Sequence, residues 1–298
     1  METTIVLSQI VFAALALVMF GLGMSLSVAD FRRLFAHPKA VAVALGLQVI
    51  ALPLVCYAII VVFGLSPLYA VGLMLLAASP GGISANLFSH LFGGNVAMNI
   101  SLTAVNTVLS IVTLPLIANW AVSHFANSGQ LVPVQTGKVV EVIALVLVPV
   151  GIGMLVAARA PRFSARMEKP VKIFSALVLV GVVALAIAKQ WSSLASAFAQ
   201  LGFPVLAFNL VSLLTGYYVS RSAGIDKPLA TAISYEIGIH NSTLAIFIAV
   251  SVLASFEAAL PAAIYSVIMY ITAPLFGFMV LRRAAAPPMA VVTPTRAR

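Results

Sequence analysis

The chain alternates long uncharged apolar runs with short polar clusters. Nine runs approach bilayer length, over about 5–28, 38–63, 68–91, 95–121, 138–158, 172–189, 197–219, 228–254 and 260–281. A hydrocarbon core about 30 Å thick takes roughly 20 apolar residues per crossing helix. The spacing therefore predicts an all-α integral membrane protein of nine transmembrane helices. Trp120 and Trp191, the only two tryptophans, fall at the ends of the fourth and sixth runs, where indole rings anchor at the interface. The longest polar connection, 122–137, separates four spans from five.

Composition agrees with the pattern. Of 298 residues 62% are hydrophobic and 8% charged, with a mean hydropathy of +1.15, where a soluble domain carries about 25% charged residues. Lipid is the expected solvent. The first twenty residues have no basic segment or cleavage site, and read as a retained span rather than a signal peptide. The single cysteine, Cys56, forms no intrachain disulfide. The net charge of +9 is scattered in small clusters between apolar runs, which argues against a nucleic-acid partner. With the amino terminus outside and the carboxyl terminus inside, fourteen of the sixteen Lys and Arg face inward, leaving only Lys138 and Lys189 outside. The tail 284–298 lacks apolar periodicity and is expected to be disordered.

The 122–137 division suggests two five-helix repeats, the first without its opening helix. Spans 3 and 8 then become equivalent, and the charge bias sends them through the membrane in opposite directions. Inverted repeats of this kind mark many secondary transporters, with the site near the midplane where the repeats meet. Gly82-Ile83-Ser84-Ala85-Asn86 and Gly238-Ile239-His240-Asn241 are a faint likeness between the halves.

Both equivalent spans carry helix-breaking features. In span 3, Pro80 removes a backbone donor and Gly81-Gly82 tolerate non-helical geometry. The half-helix beginning near Ile83 would aim free N–H groups and a positive dipole end at an anion; the alternative is an ordinary proline kink. Span 8 carries Glu236, an acidic residue deep in an apolar run, whose placement costs about 2.5–3.5 kcal/mol or more. It reads as a cation or proton site, against a protonated interhelical hydrogen bond or a misplaced span. Gln48, Asn99, Thr103, Asn106 and Asn209 add neutral oxygens, a set suited to a hard monovalent cation such as sodium rather than a transition metal. Taken singly, each is more often glue between helices. His240 stands four residues beyond Glu236, and titration, substrate contact and carbonyl satisfaction are equally open to it. His37, His90 and His124 lie in or beside loops, where solvation is expected.

Several segments resemble bacterial members of the bile acid:sodium symporter family. They are Gly21-Leu22-Gly23-Met24, Asp30-Phe31, His37-Pro38-Lys39, Gln48, Pro53, Pro80-Gly81-Gly82 through Asn86, Gly94-Asn95-Val96-Ala97 and Glu236-Ile237-Gly238-Ile239-His240-Asn241-Ser242. The resemblance covers nearly the whole chain and implies the nine-helix form. That form has two discontinuous crossing helices in a core domain, which moves against a panel domain. The implied division is a panel helix at 1–31, core at 36–125, panel helices at 134–190 and core at 195–283.

The resemblance also implies ligands. Asn86, Thr103 and Glu236 match a first sodium site, with Ala85 and Asn99 where the family often has serine. Gln48, Glu236, Ile237 and Ile239 match a second, with His240 where the family has glutamine. Asn241 matches a substrate position, beside which Ile83 and Ser84 offer amides, while Tyr270 replaces an asparagine of some relatives. The expected protein is thus a sodium-coupled symporter of a small organic anion in a bacterial inner membrane, and not an enzyme. The rival is a proton-coupled carrier using Glu236 and His240. A channel or an intramembrane enzyme lacks a selectivity ring or a nucleophile–base pair to support it.

Overall fold

In the computed structural model the chain is helical, and the described residues are 13, 15–126, 136–164, 166–167, 170, 174 and 191–281. The helices are α1 Leu15–Met24, α2 Val28–Ala36, α3 Pro38–Phe63, α4 Pro67–Ala78, α5 Ile83–Leu91, α6 Val96–Phe125, α7 Thr136–Arg159, α8 Trp191–Ser222, α9 Lys227–Gly238, α10 Ser242–Val252 and α11 Glu257–Val280. Among the described residues, four helices are long and apolar enough to cross a membrane, and the bent pair α1 and α2 adds a fifth. The expected sixth span (172–189) apart from residue 174, the opening of the first and the tail 284–298 lie outside the described residues.

The first run, expected to be continuous over 5–28, ends as a helix at Met24 and turns by 69° into α2. Local polar chemistry explains the turn. The Ser25 hydroxyl donates back to the Leu22 carbonyl at 2.7 Å, and the Asp30 carboxylate accepts from both the amide and the hydroxyl of Ser27 at 2.7 Å. This closes a capping box at the start of α2.

Spans 3 and 8 are each broken, into α4 and α5 and into α9 and α10. These broken helices form the centre: residues 70–81 and 229–249 are all buried. Around them α3, α8 and α11 turn apolar side chains outward, including Ile50, Leu54, Leu210, Val267 and Ile271. This distribution is what the physics of a bilayer requires. Non-helical backbone survives at membrane depth only inside protein or beside a wet cavity, while continuous helices satisfy themselves and can face lipid. Trp120, 44% exposed, stacks on His124 with 4.9 Å between ring centroids at the end of α6.

Candidate functional site

The two breaks lie against each other as a short antiparallel bridge between Gly81 and His240. The Gly82 amide donates to the Ile239 carbonyl at 2.6 Å, and the Asn241 amide donates to the Pro80 carbonyl at 2.8 Å. Each break thus satisfies part of the other's freed backbone.

Three further carbonyls at the breaks are met by side chains of neighbouring segments. At the end of α4, Gln48 Nε2 donates to the carbonyls of Ala77 (3.2 Å) and Ser79 (3.1 Å). Gln48 sits in a π-turn, Leu47–Ala51, within α3; such turns are often found at functional positions. His240 Nδ1 also approaches the Ser79 carbonyl, at 3.2 Å. A carbonyl accepts only, so this contact places the imidazole proton on Nδ1. At the end of α9, Asn209 Nδ2 and the Tyr265 hydroxyl both donate to the Gly238 carbonyl at 2.9 Å, and the Thr272 hydroxyl donates to Asn209 Oδ1.

Glu236 lies fully buried beneath the bridge. Thr103 Oγ1 donates to its Oε2 at 2.5 Å, and Asn106 Nδ2 donates to its Oε1 at 3.0 Å. The carboxyl rests against the backbone of Gly81, where any Cβ would collide with it. Gly81 is therefore needed for close approach as well as for the break. Asn99 is buried nearby and donates from Nδ2 to the Ala232 carbonyl at 2.7 Å. Its Oδ1, like Asn86 Oδ1, Asn106 Oδ1, Gln48 Oε1 and His240 Nε2, is buried with no protein partner. Four of these five atoms are amide oxygens, which are good ligands for a hard cation. Among the described residues no cluster of three or more His, Cys, Asp or Glu exists.

The other expected ligands divide. Ala85 is buried in the first turn of α5, and Ile237 is buried near the end of α9. The Ile239 carbonyl is already engaged by Gly82. Asn241 Oδ1 caps α10 by accepting from the Leu244 amide at 3.1 Å, while α5 begins at Gly82 with no side-chain cap. Asparagine is among the best N-cap residues, and glycine leaves the amides of its helix open.

A cavity of about 600 Å³ adjoins the bridge. Its polar wall includes Ser84, Asn86, Asn241, Ser242 and Thr243; its apolar wall draws on α1, α5, α6 and α11 through Val18, Leu87, Ile100 and Met269. Ile83 and Tyr270 also line it, and the Tyr270 and Ser84 hydroxyls are 2.6 Å apart. Asn106, grouped with Glu236 from sequence, contacts it directly. His90, exposed in the last turn of α5 beside the loop that follows, also lines the cavity. One cluster was not singled out from sequence. Tyr265 and Thr272 complete the Asn209 cluster, and no sequence spacing links them to it.

Comparison with known proteins identifies the family. Residues 12–197 fit the model of the sodium bile acid symporter family. The probable chloroplastic sodium/metabolite cotransporter BASS2 of Oryza sativa subsp. japonica is 28% identical over 86% of this chain and 60% of its own length. The sodium-dependent transporter YocS of Bacillus subtilis (strain 168) is 27% identical over 88% of this chain and 79% of its own. The human ileal sodium/bile acid cotransporter is 27% identical over 81% and 69%. The chain thus spans about three fifths of the length of the plant relative and more of the other two. With the family model covering well over half of its residues, this multi-pass membrane protein belongs to the sodium bile acid symporter family, whose members are transporters and not enzymes.

Proposed function

We propose that the chain is a sodium-coupled symporter of a small organic anion working by alternating access. The observation that carries this reading is the buried Glu236 under the paired breaks, held by Thr103 and Asn106 and neighboured by unpartnered amide oxygens. An isolated carboxylate at that depth is costly, and a bound cation offsets the cost. Glu236, Thr103, Asn99 and Asn86, with Ala85 through its backbone, would hold one sodium ion. Gln48 Oε1 and the Ile237 and Ile239 carbonyls are the oxygens for a second, with His240 Nε2 the neutral nitrogen beside them.

Sodium at Glu236 would draw the α9 break, α6 and the start of α5 into one arrangement. The substrate carboxylate then meets the uncapped amides of Ile83 and Ser84, with Asn241 and the Tyr270 hydroxyl beside it. A ligand shifts a two-state equilibrium only by its difference in affinity between the states; here the two ligands share α5, so each favours the arrangement the other binds.

The polar contacts support two related halves. α3, α4 with α5, and α6 form one trio; α8, α9 with α10, and α11 form the other. In each, an amide side chain of the first helix satisfies the break: Gln48 in one, Asn209 in the other. This accords with inverted repeats forming a core, against which α1, α7 and the span expected at 172–189 act as the panel. The charge bias supports an amino terminus outside the cell membrane and basic loops inside.

The rival proton-coupled reading draws on the buried, unpartnered Nε2 of His240. Proteoliposomes separate the two. Uptake of candidate acids driven by an inward sodium gradient at equal pH supports the symporter; uptake driven by a pH gradient alone, without sodium, refutes it.

A further inference from the structure

The cavity wall and the helices of the cation cluster meet at Asn86 of α5. Ile83, Asn86, Leu87 and His90 all line the cavity, a spacing of three and four that puts them on one helix face. The opposite face is buried through Ala85, Phe88 and Ser89. At about 100° per residue, Asn86 sits at the border between the faces, about 60° around the helix from Ser89. That border turns toward α6 and α9, since a Cβ at Gly94, just before α6, would meet Ser89 and the Thr231 methyl group of α9. The other border belongs to α11. There the Ser84 hydroxyl meets that of Tyr270, and Phe88 packs on the same ring with 6.2 Å between centroids. Glu236 is on α9, and Asn99 and Thr103 are on α6. Asn86 therefore stands between the cavity and the helices that carry the cation cluster.

Its amide is divided in the same way. Oδ1 is sealed from solvent with no protein partner, whereas the residue as a whole is half-buried and lines the cavity. A carboxamide is planar, with oxygen and nitrogen on opposite edges. An oxygen turned into the protein leaves Nδ2, a donor, as the polar atom toward the cavity. Asn241, the other amide side chain of the cavity wall among the described residues, differs: its Oδ1 is taken by the Leu244 amide.

We propose that Asn86 couples the two transported species through one amide, with Oδ1 on sodium and Nδ2 donating to the substrate carboxylate. The inference rests on the symport reading above and assigns its coupling to a side chain. Asn86 lies three residues beyond Ile83 on the same face, so one anion can meet both. Sodium on the oxygen fixes the plane of the amide and polarises its N–H groups, which makes them stronger donors. Without sodium the amide is free to turn over and present its oxygen, and an acceptor facing a carboxylate repels it. Sodium thus turns this wall of the cavity into an anion-binding one, and by reciprocity the anion tightens sodium.

The test is thermal unfolding of the purified full-length protein with butyrate, a carboxylate bearing a short apolar chain, in sodium chloride and in potassium chloride. Butyrate affinity is read from the concentration dependence of the stabilisation. The wild-type protein should bind butyrate about tenfold more tightly in sodium, within the usual range of coupling between two sites. Asn86→Leu, which fills similar space without polar atoms, should bring that ratio to about one. Asn86→Asp keeps an oxygen for sodium but replaces the donor by an acceptor. Its sodium-induced stabilisation should persist, while butyrate binding in sodium falls to the potassium level. Leu87→Ala, on the same face, should keep the wild-type ratio. A ratio that survives in both Asn86 variants, or is lost in Leu87→Ala, would overturn the assignment and leave symport standing. Butyrate that stabilises the wild-type protein equally in the two salts, or in neither, would instead remove the symport reading itself.

Discussion

The two broken helices meet at one bridge but use their breaks in opposite ways. The first opens with Pro80-Gly81-Gly82, and α5 starts from a glycine that supplies no cap. The second opens at Ile239-His240-Asn241, and α10 starts from an asparagine that does. The first therefore leaves the start of α5 without a side-chain cap, while the second caps its own helix; both line the cavity. Only the second carries the acidic residue. Under the proposed function the difference becomes a division of labour: one break would present dipoles to an anion, and the other would hold a carboxylate for a cation. Gly81 joins them, because the carboxyl of one break rests on the bare backbone of the other.

Four substitutions challenge that division. Glu236→Gln keeps the shape and the hydrogen-bonding capacity but removes the charge. Sodium-driven uptake in proteoliposomes should fall by about a hundredfold, the worth of one charge-assisted contact set; uptake that keeps its sodium dependence would break the comparison. Gly81→Ala forces a methyl group onto the Glu236 carboxyl and should cost about 1–3 kcal/mol of stability. It should also weaken the sodium-induced rise in melting temperature, which a purely structural glycine would leave intact.

Gln48 and Asn209 sharpen the comparison, since each satisfies the carbonyls at one helix end. Replacement of either by Ala should cost about 1–2 kcal/mol by stranding a buried carbonyl, read by thermal unfolding. Only Gln48→Ala should also change the apparent affinity for sodium, because only Gln48 keeps an unpartnered oxygen. The smallest effect is expected at Tyr270→Phe. Losing the hydroxyl 2.6 Å from Ser84 should weaken substrate binding by about 0.5–1.5 kcal/mol while leaving sodium affinity alone.

Much of this was legible from the chain. Pro80-Gly81-Gly82 and Glu236 announce themselves because hydrocarbon penalises a broken ladder and a charge, so each signal is local. Runs at 38–63 and 260–281 correspond closely to α3 and α11 for the same reason. The antiparallel bridge was not legible, since Gly82 and Ile239 are brought together by tertiary packing alone. Nor was it legible which of Asn99, Thr103 and Asn106 would touch the carboxyl directly, which depends on the rotation of α6 toward α9. His90 is exposed beside the loop after α5, as expected; that it also lines the cavity depends on helix packing, which no spacing shows. The turn at Ser25-Ser27 escaped a hydropathy reading because a capping box costs little apolar character.

The central claim is that Glu236 makes the meeting of the breaks a sodium site. The most direct test is thermal unfolding of the purified protein in sodium chloride against potassium chloride at equal ionic strength. At a sodium concentration ten times its dissociation constant, the wild-type protein should gain about 1.4 kcal/mol over potassium, and Glu236→Gln should gain nothing. Equal stability of the wild-type protein in the two salts, or a sodium-specific gain that survives Glu236→Gln, would contradict the account.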